Sequence, residues 1–124
     1  MATIELTDEN FARTIDENDI VIIDFWAGWC GPCKTFGPTF EKVSESHADI
    51  LFAKCDTESQ QHLAAQFNIR SIPTLTILRE RVVLLSQAGV MPESGLEEVI
   101  SQVRALDMKG VHAAMAEETN PAET

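Results

Sequence analysis

The chain has 124 residues, 44% hydrophobic and 23% charged, which is enough for one buried core and leaves no room for a second domain. Its 20 acidic and 9 basic residues give a formal net charge of -11, which excludes nucleic acid or an anionic membrane as a partner bound through a basic surface. The acidity itself reads as a solubility feature.

The opening MATIELTDENF has no basic start, apolar stretch or small-residue cleavage site, and no segment reaches membrane-spanning length, so a cytoplasmic location is expected. TIEL, residues 3–6, alternates as an edge strand does, and Thr7 or Asp8 can cap a helix carrying Phe11 and Ile15 inward. DIVIIDFWA, residues 19–27, is a nearly continuous run of β-branched and aromatic residues, as expected of a strand buried on both faces. Asp24 interrupts it. From Pro32 onward, Phe36, Phe40 and Val43 recur at spacings of four and three, placing them on one face of a helix that ends near SHAD. Pro38 is expected to kink that helix.

ILFAKCD, residues 50–56, reads as a second central strand, and residues 59–67 as a short helix with Leu63 and Phe67 inward. TLTIL and VVLLS flank Arg79, Glu80 and Arg81 as the arms of a hairpin. No Gly, Asn or Asp supplies the usual tight turn, so the turn type stays open. Leu96, Val99, Ile100 and Val103 give a last amphipathic helix over residues 93–106. The order β α β α β α β β α implies an α/β fold, a mixed central sheet with helices on both faces, filling residues 1–106. Residues 107–124 are small, polar and acidic, and are expected to form a mobile tail with at most a helical turn around Val111 to Met115.

The chemistry concentrates in DFWAGWCGPCK, residues 24–34. Cytoplasmic thiols are kept reduced, so two cysteines this close suggest metal binding or transient redox chemistry more than a structural staple. If Pro32 opens a helix, Cys30 sits at its N-terminus, where free N–H groups and the helix dipole favour a thiolate. A thiolate is the nucleophile of disulfide exchange. Cys33 lies within the first turn, in bonding range of Cys30, and is expected to be the more sheltered. An exposed Cys30 can then attack a target disulfide, and Cys33 can resolve the mixed disulfide. Half of a zinc site is the competing reading, but zinc needs four ligands. The only other cysteine is Cys55, in a strand, and His47, His62 and His112 lack paired ligand spacing, so no metal site is expected. A Cys–His hydrolase fares no better, since no nucleophile motif surrounds either cysteine.

WCGPCK behind an apolar strand with an internal aspartate resembles the thioredoxin family, and the likeness runs from about Ile4 to Leu106. The resemblance implies the thioredoxin fold and a protein-disulfide reductase working as a general reductant through a reversible Cys30–Cys33 exchange. It places Asp24 beneath Cys33 as a proton acceptor, in agreement with the raised pKa expected of a buried carboxyl. A carboxyl that only satisfies backbone donors is the structural alternative. Lys54 matches the lysine near that aspartate, moderating its pKa, unless its stem merely snorkels to water.

RSIPT, residues 70–74, matches the segment whose proline is cis in this fold, so the resemblance makes Ile72–Pro73 cis and sets it facing the cysteines. There it would offer the Ile72 backbone to an extended substrate and keep metal ions from the thiols. Gly89 matches a glycine that lets the substrate backbone approach, and Trp29 forms an exposed apolar rim while Trp26 packs beneath. Gly31 and Pro32 tune the pair toward reduction. The family further implies no bound cofactor, reducing equivalents from NADPH through a thioredoxin reductase, disulfide-containing client proteins as partners, and a monomer. A reductant specialised for one client, or a non-catalytic binding subunit using the same surface, are the rival readings. Three features depart from the family pattern: LRERVV at the hairpin, the acidic tail, and Cys55, which is expected to be buried and inert.

Overall fold

The computed structural model describes residues 2–118. The elements run β1 (Thr3–Glu5), α1 (Phe11–Glu17), β2 (Ile20–Trp26), α2 (Gly31–Ser44), β3 (Leu51–Asp56), α3 (Gln61–Gln66), β4 (Thr74–Arg79), β5 (Val82–Ala88), α4 (Glu93–Ala105) and α5 (Met108–Glu118). The strands form one mixed sheet in the order β1-β3-β2-β4-β5. β3 is parallel to both β1 and β2, while β4 runs antiparallel to β2 and β5 antiparallel to β4.

The strand period of two sorts β2 between two cores. Ile20 and Ile22 join Phe36, Phe40 and Val43 of α2 and Leu96, Ile100 and Val103 of α4 on one face. Val21, Ile23 and Phe25 join Leu63, with half-buried Phe11, Ile15 and Phe67, on the other. Aromatic edges lock both layers: Phe40 meets Phe52 at 5.3 Å between ring centroids, and Phe11 meets Phe67 at 5.5 Å. The expected helices on both faces of a mixed sheet are therefore present, and the central strand carrying Asp24 is buried on both sides.

Local sequence signals give the type of each element well and its ends less well. α1 starts at Phe11 because Thr7 and Asn10 first close a turn, the Thr7 N–H donating to Asn10 Oδ1 at 2.8 Å and the Asn10 N–H to Thr7 Oγ1 at 3.3 Å. The N-cap is therefore Asn10, not Thr7 or Asp8 as expected, because the Thr7–Asn10 turn carries the chain three residues further before the helix begins. Pro38 lies inside α2, which continues from Gly31 to Ser44 as one element.

The hairpin turn that the sequence left open is a two-residue loop with both residues left-handed, Glu80 at φ 51° and Arg81 at φ 67°. That is a type I′ turn, whose twist matches the strands it joins. It forms without glycine because other contacts hold it. The Glu80 N–H donates to the Asp19 carbonyl at 2.8 Å, and Arg79 Nη1 donates to the Val103 carbonyl at 2.9 Å and the Leu106 carbonyl at 3.3 Å, closing the end of α4. A side chain at positive φ costs about 1–2 kcal/mol. Arg81→Gly should therefore raise the urea midpoint, adding about 0.5–1 kcal/mol once the extra backbone entropy of glycine is deducted. A lowered midpoint would mean that the Arg81–Asp16 contact at 3.3 Å outweighs the strain.

The segment 107–124, expected as a mobile tail with one turn, carries α5 over Met108–Glu118 instead. Asp107 Oδ1 accepts the Lys109 N–H at 3.1 Å, Met108 is only 6% exposed, and His112 Nε2 lies 2.8 Å from Glu80 Oε1. Met108 and His112 are among the contacts that seat the helix, and they form no continuous apolar stripe in the sequence. The last six residues of the expected tail, 119–124, lie outside the described residues.

Candidate active site

β2 ends at Trp26, and a short loop brings the chain to Cys30, the N-cap of α2, in extended geometry at φ -89° and ψ 112°. Gly31 and Pro32 fill the first two helical positions, where the missing proline N–H costs nothing. Cys30 Sγ accepts the Cys33 backbone N–H at 3.2 Å. The helix start thus directs a donor and its positive dipole end at this sulfur, the environment that stabilises a thiolate. Here the two sulfurs are bonded, with Cα atoms 5.3 Å apart.

The expected difference in shelter between the cysteines is not present: both are 4% exposed. The Ile72–Pro73 loop closes over Cys30, and Ile72 O lies 3.7 Å from Cys30 Sγ. What differs is the surroundings. Cys33 borders a cleft of about 490 Å³ shared with Trp26, Lys34, Gly37, Glu41 and Lys54. Trp29, 69% exposed, borders a separate groove with Ile69, Arg70 and Ile72.

The Ile72–Pro73 peptide is cis, as the resemblance implied. The Pro73 carbonyl accepts the Gly89 N–H at 2.8 Å, which fastens the start of β4 to the end of β5 beside the cysteines. Gly89 has φ 102°, a conformation that disfavours any side chain, and the space beside its Cα is open. Cys30, Cys33, Gly31, Pro32, Trp29, Ile72, Pro73 and Gly89 thus gather at one end of the sheet.

Asp24 lies in the core on β2, with Lys54 and Leu75 as its register partners. It is fully buried, and neither carboxyl oxygen has a hydrogen-bond partner. Burial pushes the carboxyl up to about 6, with the Lys54 charge pulling the other way. The alternative of a carboxyl occupied with backbone donors fails on this geometry. The Lys54 ammonium rests 5.3 Å from the Trp26 ring centroid, a cation–π contact. Gly37 lies beside it, and a Cβ there would meet Nζ at an ordinary contact distance of 3.6 Å.

Cys55 is buried on β3 as expected, and burial pushes its thiol up to about 12, which disfavours the reactive thiolate. Among the described residues no cluster of His, Cys, Asp or Glu could hold a metal ion, and no helix is long and apolar enough to cross a membrane. The sequence reading missed Gly37 and Glu41 as cleft residues. A signal existed: both follow Cys33 at helical intervals of four, hence on its face.

Comparison with known proteins agrees with this geometry. The family model described as Thioredoxin matches residues 2–102. A Streptomyces coelicolor protein named "Putative thioredoxin 2" is 54% identical over 117 residues, covering 94% of this chain and 87% of its own length. A Bacillus subtilis thioredoxin is 35% identical over 103 residues, covering 82% of this chain and 98% of its own. Among solved structures, a mutant thioredoxin from Halobacterium salinarum superimposes with a TM-score of 0.77 at 28% identity, covering 85% of this chain and 92% of that one. With the family model spanning most of the chain and a bonded Cys-Gly-Pro-Cys pair opening α2, the chain belongs to the thioredoxin family, the protein-disulfide oxidoreductases.

Proposed function

We propose that this protein-disulfide reductant is a general one, reduced by a thioredoxin reductase at the expense of NADPH and acting on many disulfide-containing proteins in the cytoplasm, as a monomer and with no cofactor of its own. The observation that carries this reading is the N-cap position of Cys30, whose sulfur already accepts the Cys33 N–H at 3.2 Å. In the reduced protein, Cys30 thiolate attacks one sulfur of the target disulfide, and the other sulfur leaves as a thiolate that takes up a proton. The Cys33 thiol passes its proton to the Asp24 carboxylate and attacks Cys30 Sγ. This forms the Cys30–Cys33 bond and frees the second target sulfur. Two electrons move to the target, and the reductase returns two to the pair.

The exposed Trp29, the Ile72 backbone and the open Gly89 suit an extended substrate strand laid beside Cys30, and Pro73 holds Ile72 in place for it. Lys54 moderates the charge on Asp24, while Gly31 and Pro32 fix the helix start. With a generic bacterial thioredoxin reductase, the protein should reduce insulin at the expense of NADPH, and Cys30→Ser should lower that rate roughly 10³-fold or more. A wild-type protein that reduces insulin poorly under these conditions would instead be a specialist for one client. A partner function that survives replacement of both cysteines by serine would mark a binding subunit.

A further inference from the structure

Cys33, Gly37 and Glu41 follow one another at intervals of four along α2, so a single stripe leads from the sulfur to a glycine to a carboxyl. All three border the cleft that Lys54 enters from β3. Glu41 and Lys54 also border a second cleft, on the β1 side, together with Glu5 and Asp56. Thr3 Oγ1 of β1 donates to Glu41 Oε1 and fixes the carboxyl from outside. The other oxygen, Oε2, is buried and has no hydrogen-bond partner. Lys54 meanwhile takes part in none of the ion pairs among the described residues. Lys54 thus shares its strand register with Asp24 and both clefts with Glu41, residues that hold three buried carboxyl oxygens without partners, and it pairs closely with neither.

We propose that Glu41 is a positioning residue of the redox site: across the clefts they share, its charge draws the Lys54 ammonium outward and thereby limits how much of that charge reaches Asp24. Lysine is the residue suited to such sharing, since its charge is compact and its stem flexible. The remaining charges facing the two clefts are Lys34 on α2, Glu5 on β1 and Asp56 on β3, and they are common to every variant compared below.

Glu41→Gln keeps the shape and can still accept the Thr3 hydroxyl, but it removes the outer charge. Lys54 is then left to Asp24, whose ionised form gains. The inference deepens the reading of Asp24 as proton acceptor, yet its test reads the Asp24 carboxyl directly, so the two can fail separately. The test follows the Asp24 side-chain carbon by NMR through a pH titration of the oxidised protein, in which Cys30 and Cys33 are bonded and do not titrate. The wild-type midpoint near 6 should fall by about half a pH unit in Glu41→Gln. In a Lys54→Met background the same substitution should move it by less than about a third of that. A midpoint that stays or rises in Glu41→Gln, or an equal fall in both backgrounds, would overturn the proposal. A purely structural tie between β1 and α2 would lower thermal stability and leave every midpoint in place.

Discussion

Replacing Cys33 by serine is expected to stop turnover and leave the target protein attached to Cys30 through a disulfide. The reason lies in which features each cysteine needs. Cys30 keeps its place at the N-cap, and the serine N–H can still donate to its sulfur as the Cys33 N–H does at 3.2 Å. The first attack therefore survives. The second does not, because a serine hydroxyl is far too weak an acid to supply an anion near neutrality. Since both cysteines are 4% exposed, exposure does not decide which sulfur attacks first. The helix start is expected to decide it, because its free N–H and dipole favour the Cys30 thiolate. Non-reducing electrophoresis and intact mass after mixing with a disulfide-bearing target should show a one-to-one adduct that dithiothreitol cleaves, with turnover down roughly 10³-fold. Cys30→Ser should give no adduct. Product release from Cys33→Ser at the unmodified rate would assign the resolving step elsewhere.

The parts of this molecule that can be read from sequence are those where one short-range pattern dominates. The run IVIIDFW can only be a buried strand, and Phe36, Phe40 and Val43 can only share a helix face. The redox pair is legible for the same reason, since its chemistry follows from two sulfurs and a proline within four positions. The cis Ile72–Pro73 bond is not legible from the residues alone and comes from family likeness, because an X-Pro bond in isolation favours trans. The hairpin turn type escapes the sequence because Glu80 and Arg81 hold positive φ through contacts with Asp19, His112 and Asp16, all distant along the chain. α5 is underestimated on similar grounds. Glu41 lies on a helix that the sequence identifies, yet its meaning depends on Thr3 and Lys54 arriving from two strands.

Asp24→Asn is expected to make the protein more resistant to unfolding at neutral pH relative to acid, and at the same time a slower reductant. In the fold, burial lifts the carboxyl from 3.8 to about 6. A raised carboxyl pKa means the native state prefers the protonated form, so the group's favourable contribution is complete below the unfolded value. It is lost as pH rises through the folded one. The native state thus carries a penalty of about 3 kcal/mol at pH 7 that shrinks to roughly 0.5 kcal/mol at pH 4 and vanishes well below the unfolded value. Asparagine has no proton to lose in that range. Urea midpoints compared at pH 4 and pH 7 should show the wild type losing about 2 kcal/mol relative to the variant, whatever the fixed cost of seating an amide in the core. Parallel curves would mean that the carboxyl is not perturbed. The kinetic arm runs the other way. On the proposed role of Asp24, above pH 6 the wild type offers Cys33 a carboxylate as proton acceptor and the variant does not, so resolution of the mixed disulfide should slow roughly tenfold or more at pH 7. Below pH 5, where the wild-type carboxyl is itself protonated, the two rates should converge. A rate unchanged at every pH would remove Asp24 from the proton path and leave the stability result standing. The buried charge is thus a cost to the fold, and the proposed role in the second sulfur's attack stands only if the rate and the stability both depend on pH through this one carboxyl.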